Sequence, residues 1–274
     1  YKTPEDAAAA LAAAVKSGPG DILKVLGRSA EDIVFSGDDV ADKDIRQRFG
    51  SMYDAKHGIK AEGNKSATLT LGVDDFPFPI PLVNTKTGWE FDSDEGRIEV
   101  LRRRIGRNEL DAIQTALAYV DAQNEYADKD RGEGAGVYAQ HIVSSPGKKD
   151  GLFWRDDSDP SPLGPLAAEA SGEGYKAGEG MTPYHGYYFR ILKGQGPDAT
   201  GGAMNYVVKG KMIGGFALIA WPAEYGNSGV MTFLVNHAGV VYQKDLGKRT
   251  EFVAKRLTLF DPDQTWKKVD AAKP

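Results

Sequence analysis

The chain has no cysteine, which removes disulfides, thiol nucleophiles and cysteine metal ligands from its repertoire. Histidine is nearly as scarce. The four present, His57, His141, His185 and His237, show no His/His/carboxylate spacing suited to zinc. No apolar run reaches the roughly 18 residues that a membrane-crossing helix needs. The run AAAALAAAV (7–15) follows Glu5-Asp6 and reads as a helix start, not as a signal sequence. Basic charge is in deficit: the net charge is −5 and the isoelectric point is near 5.5, the reverse of a nucleic-acid-binding surface. Gly194-Gln195-Gly196 and Gly201-Gly202 match neither a phosphate-binding loop nor a dinucleotide fingerprint, so they read as turns and no cofactor is expected. A cysteine-free chain that begins at Tyr1 fits an exported bacterial protein whose targeting segment has been removed, although the lack of cysteine also fits many cytosolic proteins. The expected compartment is the periplasm.

What is present is enough for a core: 41% of the 274 residues are hydrophobic. Thr3-Pro4-Glu5-Asp6 reads as an N-cap, a proline at the first helical position and acids in the first turn. Helices are expected to Lys16, over Asp21–Leu26 and over Val40–His57. From Lys65 the period changes to that of strands, through SATLTLGV, FPFPIPLVN and WEFD. Pro77, Pro79 and Pro81 remove ladder donors and place that segment at a sheet edge.

Asp92 with Glu95 then opens the longest helix, with Ile98, Leu101, Ile105, Ile113, Leu117 and Val120 as its apolar stripe through about Tyr126. Glu99–Arg103 and Arg107–Asp111 are spaced to pair along it. Residues 127–183 read as loop-rich, with a short helix at Leu163–Ala170. The segments 186–192, 206–212, 214–222, 229–236 and 239–247 read as an antiparallel set with short turns, and Thr250–Leu257 as a closing helix. His237 sits at the tip of one of those hairpins and reads as a solvent-facing turn residue. The expected fold class is α+β. A helical and β-hairpin domain over 1–91 precedes a second domain over 92–274, whose insertion is at about 127–183.

No catalytic constellation stands out. Ser145-Pro146-Gly147-Lys148 matches Ser-x-x-Lys, but Pro146-Gly147 makes a turn where that chemistry needs a helix. Asp156-Asp157-Ser158-Asp159 is acidic enough for adventitious Ca²⁺, but counting from Asp157, Pro162 and Ala168 stand where an EF-hand needs glycine and glutamate. Arg104, Asn108 and Glu109 are candidates to clamp an acidic loop or the other domain. Tyr184-His185-Gly186-Tyr187-Tyr188 is the richest cluster of polar aromatics. Tyr184, His185 and Tyr187, with Trp154 as an aromatic anchor of the loops, are the candidate ligand or partner contacts. If the chain were an enzyme, the expected form is a hydrolase in which His185 and Glu173 or Glu179 activate water. A third reading is a small-molecule module with its pocket between the domains.

Long motifs carry a family resemblance. FPFPIPLVNTKTGWEFD (76–92), RRRIGRNELDAI (102–113), YVDAQNEYA (119–127), KKDGLFW (148–154), SPLGPL (161–166), YHGYYFRILKGQG (184–196) and GGFALIAWPAEYGNSGVMTFLVNHAGVVYQKDLG (214–247) identify the chain as resembling the bacterial family catalogued as domain of unknown function 2950. That resemblance implies an exported envelope protein and carries no activity. RNELDAIQTALAYVDAQNEYA with GYYF, FALIAWP and GVMTFLVNHAGVVYQ also resembles the globular part of type IV pilin-like proteins. It implies one helix packed on an antiparallel sheet. The apolar membrane segment of a polymerising pilin has no counterpart ahead of this helix, so fibre formation is not expected. PLVNTKTGWEFD is similar to the closing strands of cystatin-like or NTF2-like modules. The reading these observations favour is a non-catalytic envelope protein acting on an unidentified protein or ligand.

Overall fold

A computed structural model describes residues 1–156, 158–176 and 182–269. Asp157 of the acidic loop and Glu179, one of the two carboxylates expected near His185, lie outside the described residues. The fold is α+β, and the chain divides into two compact units, Tyr1–Gly106 and Arg107–Pro274.

In the first unit, α1 (Pro4–Ser17) starts where Thr3 Oγ1 accepts from the Asp6 amide at 3.1 Å. α2 (Pro19–Leu26), α3 (Glu31–Val34) and α4 (Asp39–Ala55) follow, the last capped by Asp38. The sheet contains β1 (His57–Glu62), β2 (Ser66–Leu71), β3 (Phe76–Pro77), β4 (Leu82–Thr85) and β5 (Gly88–Phe91), in the order β1-β2-β4-β5 with β3 beside β2. β2 alternates as its sequence requires, burying Ala67, Leu69 and Leu71. The proline segment contributes only the two-residue β3. β1 is a strand that its sequence did not announce, since an exposed edge has no face to bury and so no alternation to read.

α5 (Ser93–Ala127) is one unbroken helix of 35 residues. Asp92 Oδ1 accepts from the Glu95 amide at 3.0 Å, while the Asp92 amide donates to Pro81 O, so only half of the capping box forms. Ile98, expected on the buried stripe, is 67% exposed. Ile113 and Val120 of that stripe are buried as expected, and the buried positions also include Arg104, Asn108, Ala112, Ala116, Tyr119, Gln123 and Tyr126. The buried face keeps helical spacing but includes three polar residues, each hydrogen-bonded to backbone carbonyls, which hydrophobicity alone does not mark.

In the second unit the main sheet is antiparallel. It contains β8 (Tyr187–Leu192), β13 (Ala217–Pro222), β14 (Met231–Asn236), β15 (Tyr242–Asp245) and β16 (Lys267–Lys268), in the order β16-β15-β14-β13-β8. Every residue of β13 is buried, and Ala112, Ile113, Ala116, Tyr119 and Val120 of α5 share its core cluster. α7 (Thr250–Ala254) also packs against β13. Arg190 of β8 donates to the carbonyls of Ala254, Lys255 and Leu257 at 2.6–3.0 Å, satisfying the end of α7.

Around this sheet lie the parallel pair β6 (His141–Val143) and β7 (Gly151–Phe153), the helix α6 (Gly164–Glu173), and the pair β9 (Gly194–Gln195) and β10 (Met204–Asn205). The segment 206–212, expected in the main sheet, forms its own hairpin of β11 (Val207–Val208) and β12 (Lys211–Met212). Positive φ at both Lys209 and Gly210 makes the turn tight enough to fold it back on itself.

Candidate functional site

Tyr184 and Tyr187 exchange both backbone hydrogen bonds, at 2.8 and 3.0 Å, across a two-residue turn. His185 and Gly186 both have positive φ, 47° and 75°, as a primed hairpin turn demands. Gly186 is also obligatory on steric grounds, because a Cβ there would lie 2.5 Å from Asn108 Nδ2. His185 is the unusual occupant, since a non-glycine residue at positive φ costs on the order of 1 kcal/mol.

The turn aims the imidazole between two carboxylates. Nε2 lies 2.7 Å from Glu173 Oε2 at the end of α6, and Nδ1 lies 3.3 Å from Asp111 Oδ2 on α5. Burial of the ring opposes its charge, but the bonds to Asp111 and Glu173 outweigh it and push the pKa up to about 9. At neutral pH the ring is therefore an imidazolium, donating from both nitrogens, with no lone pair to take a proton from water. Tyr184 stacks on it with centroids 4.2 Å apart, and Tyr175 Oη accepts from the His185 amide at 3.2 Å. Burial, followed by the charges of Glu173, Glu169 and Asp111, raises the Tyr184 phenol, which stays protonated.

Beside this cluster lies a cavity of about 570 Å³, built wholly from second-unit residues. Its walls are α6, the β6–β7 pair, and Phe189 and Leu218 of the sheet, with Thr115 and Tyr119 of α5. Tyr175 and Tyr184 line it on the side where His185 is clamped. No residue of α6 is fully buried, although several of its side chains line the cavity, so this helix rests on the unit as a wall and is not part of its core. Among the described lining residues aromatic and aliphatic surface predominates, which is the usual character of a small-molecule site.

The other residues singled out from the sequence lie elsewhere. Tyr187 is fully buried and its hydroxyl donates to Met231 O at 2.9 Å. Arg104 donates to the carbonyls of Asp32 and Ile33 within the first unit. Asn108 donates to Ser228 O at 2.9 Å, and Glu109 Oε1 accepts from the amides of Val230 and Met231, both at 3.0 Å. These two fix the entry of β14. Trp154 Nε1 donates to Asp159 O, and the ring packs beneath the Arg131 guanidinium, 4.7 Å from its centroid. At the acidic loop, the Lys149 ammonium lies 2.9 Å from Asp156 and 2.7 Å from Asp159. His237 is exposed at its turn, with its ring edge against Tyr206 and Phe216.

Asp111 and the cavity walls were not visible in the sequence. Helical spacing assigns Asp111 to Arg107, and the walls come from short elements in a loop-rich stretch. The signal in the sequence is that the aromatics Phe153, Trp154 and Tyr175 stand as candidate anchors of the loop-rich stretch, and of these Phe153 and Tyr175 line the cavity.

Among the described residues, no helix is long and apolar enough to cross a membrane. No curated protein and no solved structure matches the chain. One family does, over residues 1–269, and the chain belongs to it: Protein of unknown function (DUF2950).

Proposed function

We propose that this chain is a non-catalytic, exported protein of the bacterial envelope, located in the periplasm, and that it works by holding an apolar ligand in the cavity beside Tyr184 and His185. The observation that carries the binding reading is the cavity itself, about 570 Å³ and walled mostly by apolar side chains, in the range of small-molecule sites. The charge state of His185 supports binding over hydrolysis, because an imidazolium held by two carboxylates is not a base at neutral pH. Tyr184, His185 and Glu173 act as the frame that seats the end of α6 at the cavity. The likeness to pilin-like globular domains belongs to the same reading, as an ancestry of the helix-on-sheet arrangement and not of fibre formation.

The test is a titration with N-phenyl-1-naphthylamine, an uncharged apolar fluorophore. A saturable rise in fluorescence is expected, and it is lost when Ala170→Trp fills the cavity from α6. An unsaturable signal, or one indifferent to Ala170→Trp, contradicts the assignment. Osmotic-shock fractionation of the host tests the compartment, and recovery with the cytoplasmic fraction contradicts export.

A further inference from the structure

We infer that the ligand class is a single-chain amphiphile with an anionic head, an alkyl carboxylate whose chain lies among the apolar walls and whose head meets Arg155. This rests on reading the cavity as a binding site and adds which chemistry it selects.

Three observations point the same way. The inner lining includes Ile142, Phe153, Leu166, Phe189 and Leu218, while its uncharged polar groups are mainly the hydroxyls of Thr115, Ser171 and Thr182 together with tyrosines. A sugar or nucleotide buried there would leave many donors and acceptors unpaired, at a cost that rises with each one. A hydrocarbon chain leaves none. The wall formed by α6 presents Gly164, Ala167, Ala168 and Ala170 beside Leu166 and Ser171, mostly small side chains against which a flexible chain can lie.

Charge supplies the second observation. Among the described lining residues there is no aspartate or glutamate, and the charged members are Arg155 and Lys176. Both are exposed, so they stand at the mouth and not in the interior. A head group there keeps its hydration while its chain is buried, the arrangement in which an amphiphile pays no desolvation of charge.

The third observation concerns the neighbouring acids, which would otherwise repel an anion. Glu173 and Asp111 are held by His185, and Asp156 is held by Lys149 and Ser158, while Glu169, whose charge also reaches Tyr184, is solvent-exposed on α6. The positive end of Arg155 is thus the available partner for a carboxylate at the opening.

The experiment is calorimetric titration of the whole chain with saturated carboxylates of increasing length, each below its micellar concentration. Primary alcohols and alkyl-trimethylammonium ions of the same length serve as comparisons. Affinity is expected to rise by up to about fourfold per added CH₂ until the cavity is full. At low salt the carboxylate is expected to bind about tenfold more tightly than the alcohol, as one charge-assisted contact would give. Arg155→Ala should bring the carboxylate down to the alcohol, whereas Arg155→Lys should keep most of the advantage. Affinity independent of chain length, equal binding of carboxylate and alcohol, or tighter binding of naphthoate than of any alkyl carboxylate overturns the inference. If the uncharged fluorophore binds and carboxylates show no advantage, the cavity remains a binding site and only its selectivity is wrong. If the fluorophore fails as well, both readings fall.

Discussion

Nε2 of His185 lies 2.7 Å from Oε2 of Glu173, so a strained two-residue turn holds the last residue of α6. Asp111 completes the clamp from the other nitrogen at 3.3 Å. The folded pKa of about 9 stands above the ordinary 6.5, so the folded chain binds more protons than the unfolded chain between those values. The clamp's contribution is therefore complete below pH 6.5 and disappears as pH rises through 9. With a quarter of the side chain facing water, it is worth on the order of 2 kcal/mol.

His185→Asn isolates that effect, because asparagine tolerates positive φ and keeps the turn. The unfolding free energy in urea should differ between wild type and variant by about 2 kcal/mol at pH 6, and the gap should close by pH 10. A gap that stays constant across that range would mean that the imidazole's charge plays no part.

Gln123 is fully buried on α5 and serves three partners. Its Nε2 donates to Tyr119 Oη at 3.0 Å and to Ala139 O at 2.8 Å, and its Oε1 accepts from the Ala139 amide at 2.9 Å. Gln123→Leu keeps the volume but strands both backbone groups of Ala139, so a loss of about 3 kcal/mol is expected. Chemical denaturation measures it, and a loss below about 1 kcal/mol would show that water or a shifted backbone replaces the amide.

Gly229 is required by a ring and not by a turn. A Cβ there would sit 2.1 Å from Tyr187 Oη. Gly229→Ala should cost about 2–3 kcal/mol by overpacking and by displacing the hydroxyl from Met231 O. Tyr187→Phe removes the clashing oxygen but leaves ring carbons at 2.6–2.7 Å, so the double variant should recover only part of the loss. Thermal unfolding of the three variants distinguishes this from a backbone effect, which Tyr187→Phe would not relieve at all.

Lys149 occupies the acidic loop from within. The bonds from Ser158 and Lys149 hold Asp156 below the usual carboxylate range, and those from Lys149 do the same for Asp159. The melting temperature should accordingly be the same in millimolar CaCl₂ and in EDTA. A calcium-dependent rise in the wild-type chain would mean that the cation displaces the ammonium.

The sequence disclosed most of this architecture where local chemistry decides it. Thr3-Pro4 and Asp92 mark helix starts, and SATLTL alternates as a half-buried strand must. It misled where polar residues take core positions. Arg104, Asn108 and Gln123 lie on the buried stripe of α5 because each finds backbone partners far along the chain, information that no periodicity contains. At the site, Glu173 was among the carboxylates expected near His185, and it is there. Asp111 was concealed by its helical spacing to Arg107. The cavity was concealed because β6 and β7 are three residues each, too short to show a period.

The most direct test of the binding claim is methyl-resolved NMR during titration with dodecanoate. The account predicts saturable shifts at the methyls of Ile142, Leu166 and Leu218, with those of the first unit unmoved. Shifts spread over exposed apolar residues such as Val208 and Ile213, with the cavity methyls silent, would contradict it.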